Sequence, residues 1–318
     1  MVVAFFSSNR ALHALCLLLL CLRLCGAGHE VLYGVQLEPA VDVQPHELAI
    51  IQFDTRPIGN YWNVSAHWNY AYALKHGHQY AFFTLPAGKA CVRKGVSLSP
   101  AWCKVKAMLR AQRHLPAAKA FLYMDSDAVV TTQLNYSMTD VLAYVRQTLR
   151  WDMQQQPIAF NQDGPGWACT NVVQTTGYDF CLNSGTVIWR RSVVSQRVLL
   201  DWWSMAADPY SAHRFSQQWR KVWPWEQAPM HKLYEQYRAF VMRLSFPDLT
   251  HLPWTSKGHP ASQYPTDTVE PWCFSHWPGA NCFITHFCSS VNQKRRLMRE
   301  YQVTAQDLLG HALQTTVV

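Results

Sequence analysis

Ala120-Phe121-Leu122-Tyr123-Met124, running into Asp125-Ser126-Asp127, is the stretch on which the reading of this chain turns. Five apolar residues stopped abruptly by two carboxylates have the length and composition of a strand buried on both faces. The chain turns where the carboxylates begin, because Asp and Ser side chains hydrogen-bond to the backbone of a turn. Two carboxylates two residues apart at such a strand end present hard oxygen ligands to a divalent cation. Two solvated turn aspartates would leave the same letters, and so short a motif also arises by chance. Its place at a strand end is what gives it weight.

Working outward, strand and helix signals alternate. Leu48-Ala49-Ile50-Ile51-Gln52-Phe53 is a second apolar run, stopped at Asp54. Asn63 to His76 has helical character and closes at Gly77, and Tyr80 to Thr84 reads as a strand. Ser99 and Pro100 occupy the cap and first-turn positions of a helix running through Arg110. Further on, Pro157–Phe160 and Thr186–Trp189 read as strands, and Val193–Ala206 and Glu226–Arg238 as helices. This alternation predicts an α/β fold of right-handed crossover units, with a mostly parallel sheet flanked by helices. Ligands of such sheets gather beyond the carboxyl ends of the strands, where Asp54 and the Asp125/Asp127 pair sit.

The chain has 318 residues, 49% of them apolar and 15% charged, which excludes a disordered or fibrous protein. Its net charge is +8, with no basic run longer than Lys294-Arg295-Arg296, so a nucleic-acid partner is not expected. An anionic small ligand or an anionic membrane surface fits equally well. Ala11 to Cys25 is Leu-rich but interrupted by His13 and Arg23, too short for the roughly 20 residues of a comfortable span, and it matches the apolar core of a secretory signal. Gly26, Ala27 and Gly28 offer a cleavage site, so residues 1–28 fit both a cleaved signal and a retained anchor. Residues 29–46, with Pro39 and Pro45, read as a stem. Sequons at Asn63 and Asn135 agree with a lumenal chain.

Several short segments, taken in order, resemble glycosyltransferase family 34. They are Tyr72-Ala73-Leu74-Lys75-His76-Gly77, the Ala101-Trp102-Cys103-Lys104-Val105 helix start, Tyr123 to Asp127, Leu182 to Arg190, and Glu226-Gln227-Ala228. The resemblance implies a GT-A (Rossmann-like) catalytic domain over about residues 47–300, followed by a tail. It implies transfer of a hexose or pentose from a nucleoside diphosphate sugar to a glycan or glycoprotein acceptor. Retention at the anomeric carbon also comes from the resemblance, since spacing alone does not decide it. The family pattern makes Asp125 and Asp127 the metal and ribose-phosphate ligands, with His286 as a third metal ligand. Two carboxylates and an imidazole suit Mn²⁺, or another divalent cation. Asn183 would bind a sugar hydroxyl, Lys104 the donor phosphates, and Glu226 and Gln227 would stabilise positive charge on the sugar. Ala228 stands where the family usually has Ser, and Phe287 is followed directly by Cys288 without the family's Gly. The implied location is the Golgi lumen, as a single-pass type II membrane protein, or secretion if the N-terminal segment is cleaved. The rival readings are a catalytically inactive lumenal sugar-binding protein on a GT-A scaffold, and a phosphohydrolase needing a second acidic cluster that the sequence does not display.

Seven cysteines follow the targeting segment. Close spacing predicts disulfides Cys91–Cys103, Cys169–Cys181 and Cys273–Cys282, leaving Cys288 over. Peptide mapping under non-reducing conditions is expected to recover these three pairs; seven free thiols would contradict both the pairing and lumenal residence.

Overall fold

A computed structural model describes residues 3–4, 43–56, 62–85, 89–130, 137–162, 180–206, 220–221, 225–244, 270–275 and 282–286. The strands in chain order are β1 Val3–Ala4, β2 Leu48–Asp54, β3 Gln79–Thr84, β4 Cys91–Arg93, β5 Val96–Leu98 and β6 Ala120–Asp125. They continue with β7 Ala128–Val130, β8 Ile158–Gln162, β9 Leu182–Arg190, β10 Val241–Leu244, β11 Glu270–Ser275 and β12 Cys282–His286. The helices are α1 Trp62–Lys75, α2 Trp102–His114, α3 Met138–Leu149, α4 Val193–Met205 and α5 Gln227–Gln236.

The main sheet has the order β1-β3-β2-β6-β9-β8-β10. Every residue of β2 is buried, as expected of a strand covered on both faces. Successive side chains along a strand point to opposite faces, and two cores follow from that period. Leu48, Ile50, Leu122 and Met124 pack with Trp68 and Tyr72 of α1 and with Val141 and Leu142 of α3. Ala49, Ile51, Phe121 and Tyr123 pack with Trp102 and Met108 of α2, with Leu199 and Trp202 of α4, and with Met230 and Leu233 of α5. The sheet is therefore sandwiched between two helical layers.

Local chemistry sets the helix ends. Gly77 takes φ +70 after α1, and His78 N–H reaches back to the Ala73 carbonyl at 2.8 Å, closing the helix in a left-handed cap. At α3, Ser137 Oγ accepts from Asp140 N–H (3.1 Å) while the Asp140 carboxylate accepts from Ser137 N–H (2.9 Å). The packed region reaches back into the stretch read as stem, for Val43 is buried in the first core.

The sheet is less parallel than the alternation predicts. β2 runs parallel to β3 and β6, and β10 to β8, but β9 runs antiparallel to both β6 and β8. Hydrophobic period reveals that a segment is a strand and not which way it runs. The reversal has a consequence for the site, because the start of β9 lies where β6 ends, with Thr186 opposite Met124. A second sheet, β11-β12-β7, begins just past the Asp125–Asp127 turn and sets His286 opposite Ala128.

The Cys91–Cys103 disulfide is present, tying the β4–β5 hairpin to the first turn of α2. Cys181 is also disulfide-bonded. Its expected partner Cys169, together with Cys288, lies outside the described residues, while Cys273 and Cys282 are on the adjacent strands β11 and β12. The signal region 11–25 lies outside them as well, and among the described residues no helix is long and apolar enough to cross a membrane. The Cys91–Cys103 link spans 12 residues, and closing a loop of about that length stabilises a fold by about 3 kcal/mol. The double variant Cys91→Ala/Cys103→Ala is expected to lose stability of that order in chemical denaturation. An unchanged denaturation midpoint would show that the bridge constrains nothing the rest of the fold does not already hold.

Candidate active site

Residues two apart on a strand share a face, so Tyr123 and Asp125 at the end of β6 point the same way. The Tyr123 hydroxyl donates to Asp125 Oδ1 at 2.8 Å. Lys104, in the first turn of α2, reaches the same carboxylate, with Nζ 2.7 Å from Oδ1 and 3.0 Å from Oδ2. The ammonium also contacts Glu226 Oε1 at 2.9 Å and Ser184 Oγ at 3.2 Å, and Ser184 Oγ donates to Glu226 Oε1 at 2.6 Å. Lys104 is only 6% exposed and Glu226 only 2%. Burial works against the charge on Lys104, but the Asp125 and Glu226 carboxylates outweigh it and hold the ammonium above its ordinary pKa. Burial, then the charge of Asp125, pushes the Tyr123 hydroxyl well up, so it stays a proton donor to that carboxylate.

Glu226 stands at the N-cap of α5 and makes no side-chain cap bond. Its peptide follows Trp225, a non-glycine residue at φ +47, and its carbonyl accepts from Trp202 Nε1 at 2.8 Å. Oε1 is committed to Lys104 and Ser184, whereas Oε2 is buried with no hydrogen-bond partner among the described residues. The start of α5 is moored to β9: Gln227 Nε2 donates to the Leu182 carbonyl (2.8 Å), and Leu182 N–H donates to His231 Nε2 (3.0 Å). Asn183 is buried beside them, with Oδ1 accepting from Gly185 N–H at 2.6 Å.

On the other side of the turn, Arg56 grips Asp54 with Nε at 2.9 and 3.0 Å from the two carboxylate oxygens and with Nη2. Nη2 also donates to Ser126 Oγ at 2.9 Å, and that hydroxyl donates to Asp54. Burial opposes the guanidinium charge, and Asp54, with Asp127 and Asp125 behind it, keeps its pKa raised.

Four carboxylates, Asp54, Asp125, Asp127 and Glu226, thus meet two cations, Lys104 and Arg56. The surplus of two negative charges is what one divalent cation would neutralise, so the residues fit such an ion. Among the described residues no three His, Cys, Asp or Glu converge as a complete ligand set. Asp125 and Asp127 supply two oxygen donors, which suits an ion that keeps places for phosphate or water. The backbone of β12 brings His286 alongside, and its imidazole lies outside the described side chains.

Of the residues the sequence singles out, Lys104, Asp125 and Glu226 are in direct contact, while Gln227 and Asn183 adjoin them through the start of β9. Tyr123, Ser184 and Arg56 were not foreseen. Tyr123 was legible, being two residues before Asp125 on a strand, and so was Arg56, two residues after Asp54; Ser184 meets Lys104 and Glu226 only through the fold. Lys104→Met would leave the buried Glu226 and the partly exposed Asp125 without their cation, and removing one partner of a buried ion pair costs about 3–5 kcal/mol. Urea denaturation is expected to show that loss, and a smaller one in the double variant Lys104→Met/Glu226→Gln, which removes the buried charge left without its cation. An equal loss in both variants would argue against the ion network as its cause.

A family model of the galactosyl transferase GMA12/MNN10 family matches residues 54–252, more than half of the chain. No curated protein matches in sequence. A glycosyltransferase involved in glycosylation of the major capsid of PBCV-1 superposes with a TM-score of 0.50 at 13% identity, covering 79% of this chain and 98% of its own, a likeness of fold. The galactosyltransferase LgtC, solved with donor and acceptor sugar analogs, gives a TM-score of 0.37 at 13% identity, covering 79% and 95%. Mouse xyloside xylosyltransferase 1 gives 0.36 at 9%, covering 64% and 86%. With the GT-A arrangement of its sheet and the family match running from Asp54 across the Asp125–Asp127 turn to Glu226 and beyond, the chain belongs to the galactosyl transferase GMA12/MNN10 family of glycosyltransferases.

Proposed function

We propose that the protein transfers a hexose or pentose from a nucleoside diphosphate sugar to a glycan or glycoprotein acceptor, with retention, in a metal-dependent reaction. The observation that carries this reading is Glu226, a buried carboxylate tied through Oε1 to Lys104 and Ser184, with Oε2 lacking a hydrogen-bond partner among the described residues. A carboxylate so placed suits a group of positive charge, and a sugar losing its diphosphate develops that charge at the anomeric carbon.

Asp125, Asp127 and His286 would hold Mn²⁺ or another divalent cation. When bound, such an ion neutralises charge on the departing diphosphate. Lys104 holds the Asp125 and Glu226 carboxylates at a set separation, so leaving-group and sugar ends of the donor meet preorganised partners. Gln227 and Glu226 face the sugar in this reading, and Asn183 takes one of its hydroxyls. The inactive sugar-binding alternative loses ground, since the carboxylates and their cations are all in place. The Cys91–Cys103 bridge supports residence in an oxidising lumen, and the N-terminal apolar segment supports a type II Golgi protein or a secreted one.

The test is a scan of nucleotide sugars with the purified full-length protein, with and without Mn²⁺. Asp125→Ala and Asp127→Ala are expected to abolish transfer; wild-type rates in either would sink the mechanism. Glu226→Gln and Gln227→Ala are expected to lower kcat by about 100-fold while leaving the donor dissociation constant nearly unchanged. Loss of donor affinity with normal turnover would reassign both residues to binding.

A further inference from the structure

A second, uncharged set of buried side chains meets the turn that carries Asp125 and Asp127. Gln52, wholly buried in β2, donates from Nε2 to the carbonyls of Asp125 (3.0 Å) and Ala128 (3.4 Å). Its own Oε1 accepts from the Tyr80 hydroxyl at 2.8 Å. From α1, Ser65 Oγ donates to the Ser126 carbonyl. Asn69 donates from Nδ2 to the Ala128 carbonyl (2.9 Å) and accepts at Oδ1 from Val130 N–H (3.0 Å). Trp68 Nε1 donates to the Val130 carbonyl at 2.5 Å.

Ser65 and Asn69 are four residues apart, hence on one face of the helix, and both are fully buried. A helix that only covered a sheet would present apolar groups there. Here the two side chains both reach the backbone of residues 126–130. Asn69 pairs with β7 much as a neighbouring strand would, opposite to the side taken by β12. The turn itself has no glycine, and its conformation is imposed from outside by side chains of β2 and α1.

We propose that Ser65 and Asn69 are positioning residues of the donor site, fixing the peptides of 126–130 so that the Asp127 carboxylate is held in its ligating orientation before a cation arrives. The proposal rests on Asp125 and Asp127 being metal ligands, as read above. Outer partners that orient metal ligands control affinity for the ion even though they never touch it.

The experiment follows Mn²⁺ binding to the full-length protein by loss of the free-ion electron paramagnetic resonance signal, with thermal midpoints measured in parallel. Ser65→Ala and Asn69→Ala are each expected to weaken Mn²⁺ binding by about 10- to 100-fold at a temperature where they remain folded. Leu199→Ala, in the core on the other face of the sheet, is the destabilised control and is expected to lower the midpoint without changing Mn²⁺ affinity. Unchanged affinity in the Ser65 and Asn69 variants, with only a lower midpoint, overturns the positioning role and leaves the metal reading standing. Wild-type protein that takes up no Mn²⁺ overturns the metal reading and this proposal with it. If Asn69→Ala does not fold, Ser65→Ala decides, since it deletes a single hydroxyl at nearly constant volume.

Discussion

The ammonium of Lys104 is the point on which the site depends. It lies out of water between a carboxylate at the end of β6 and another at the start of α5, with Ser184 of β9 completing its contacts. Taking the Lys104 and Glu226 charges out of water is costly, and their attraction, shared with the partly exposed Asp125, offsets that cost only when distances and hydrogen bonds are nearly ideal. Those distances are set by backbone that is itself tied down. The Cys91–Cys103 bridge lies one residue before Lys104, and Trp202 and Gln227 anchor the α5 end to its neighbours. The network makes four separate elements agree on one geometry at the sheet edge.

That edge is polar because the sheet below it is not. β2 and β6 are buried along their length, so charged groups are tolerated only where the strands run out. The antiparallel insertion of β9 enriches the edge further. A parallel strand would bring its last residues there; β9 brings its first, and with them Asn183 and Ser184. The moored N-terminus of α5 then places Glu226 against Ser184.

Two ion clusters flank the Asp125–Asp127 turn, Lys104 on one side and Arg56 on the other, and they differ in exposure. The Lys104 side chain is nearly closed off, whereas that of Arg56 is 38% exposed. Screening by solvent is therefore stronger on the Arg56 side. The turn and its flanking clusters carry a residual negative charge, and the neutral hydrogen bonds from β2 and α1 tie down its backbone.

The sequence by itself determined the element types near the site, because apolar period and run length are local properties of a chain. It marked Leu48–Phe53, Tyr80–Thr84 and Ala120–Met124 as strands and the segments beginning near Asn63 and Pro100 as helices, and the structure has them within a few residues. It also placed Asp54 and Asp125 at strand ends, and it paired Cys91 with Cys103. Tertiary structure decided the direction of β9, since nothing local encodes which way a strand is entered. It alone made Lys104 the partner of both Asp125 and Glu226, 21 residues from the first. It gave Ser65 and Asn69, which read as ordinary helical residues, a common target 61 and 59 residues away. Contacts of that range depend on how helices lie across a sheet, and that is settled by packing two cores at once, not by the character of any single residue.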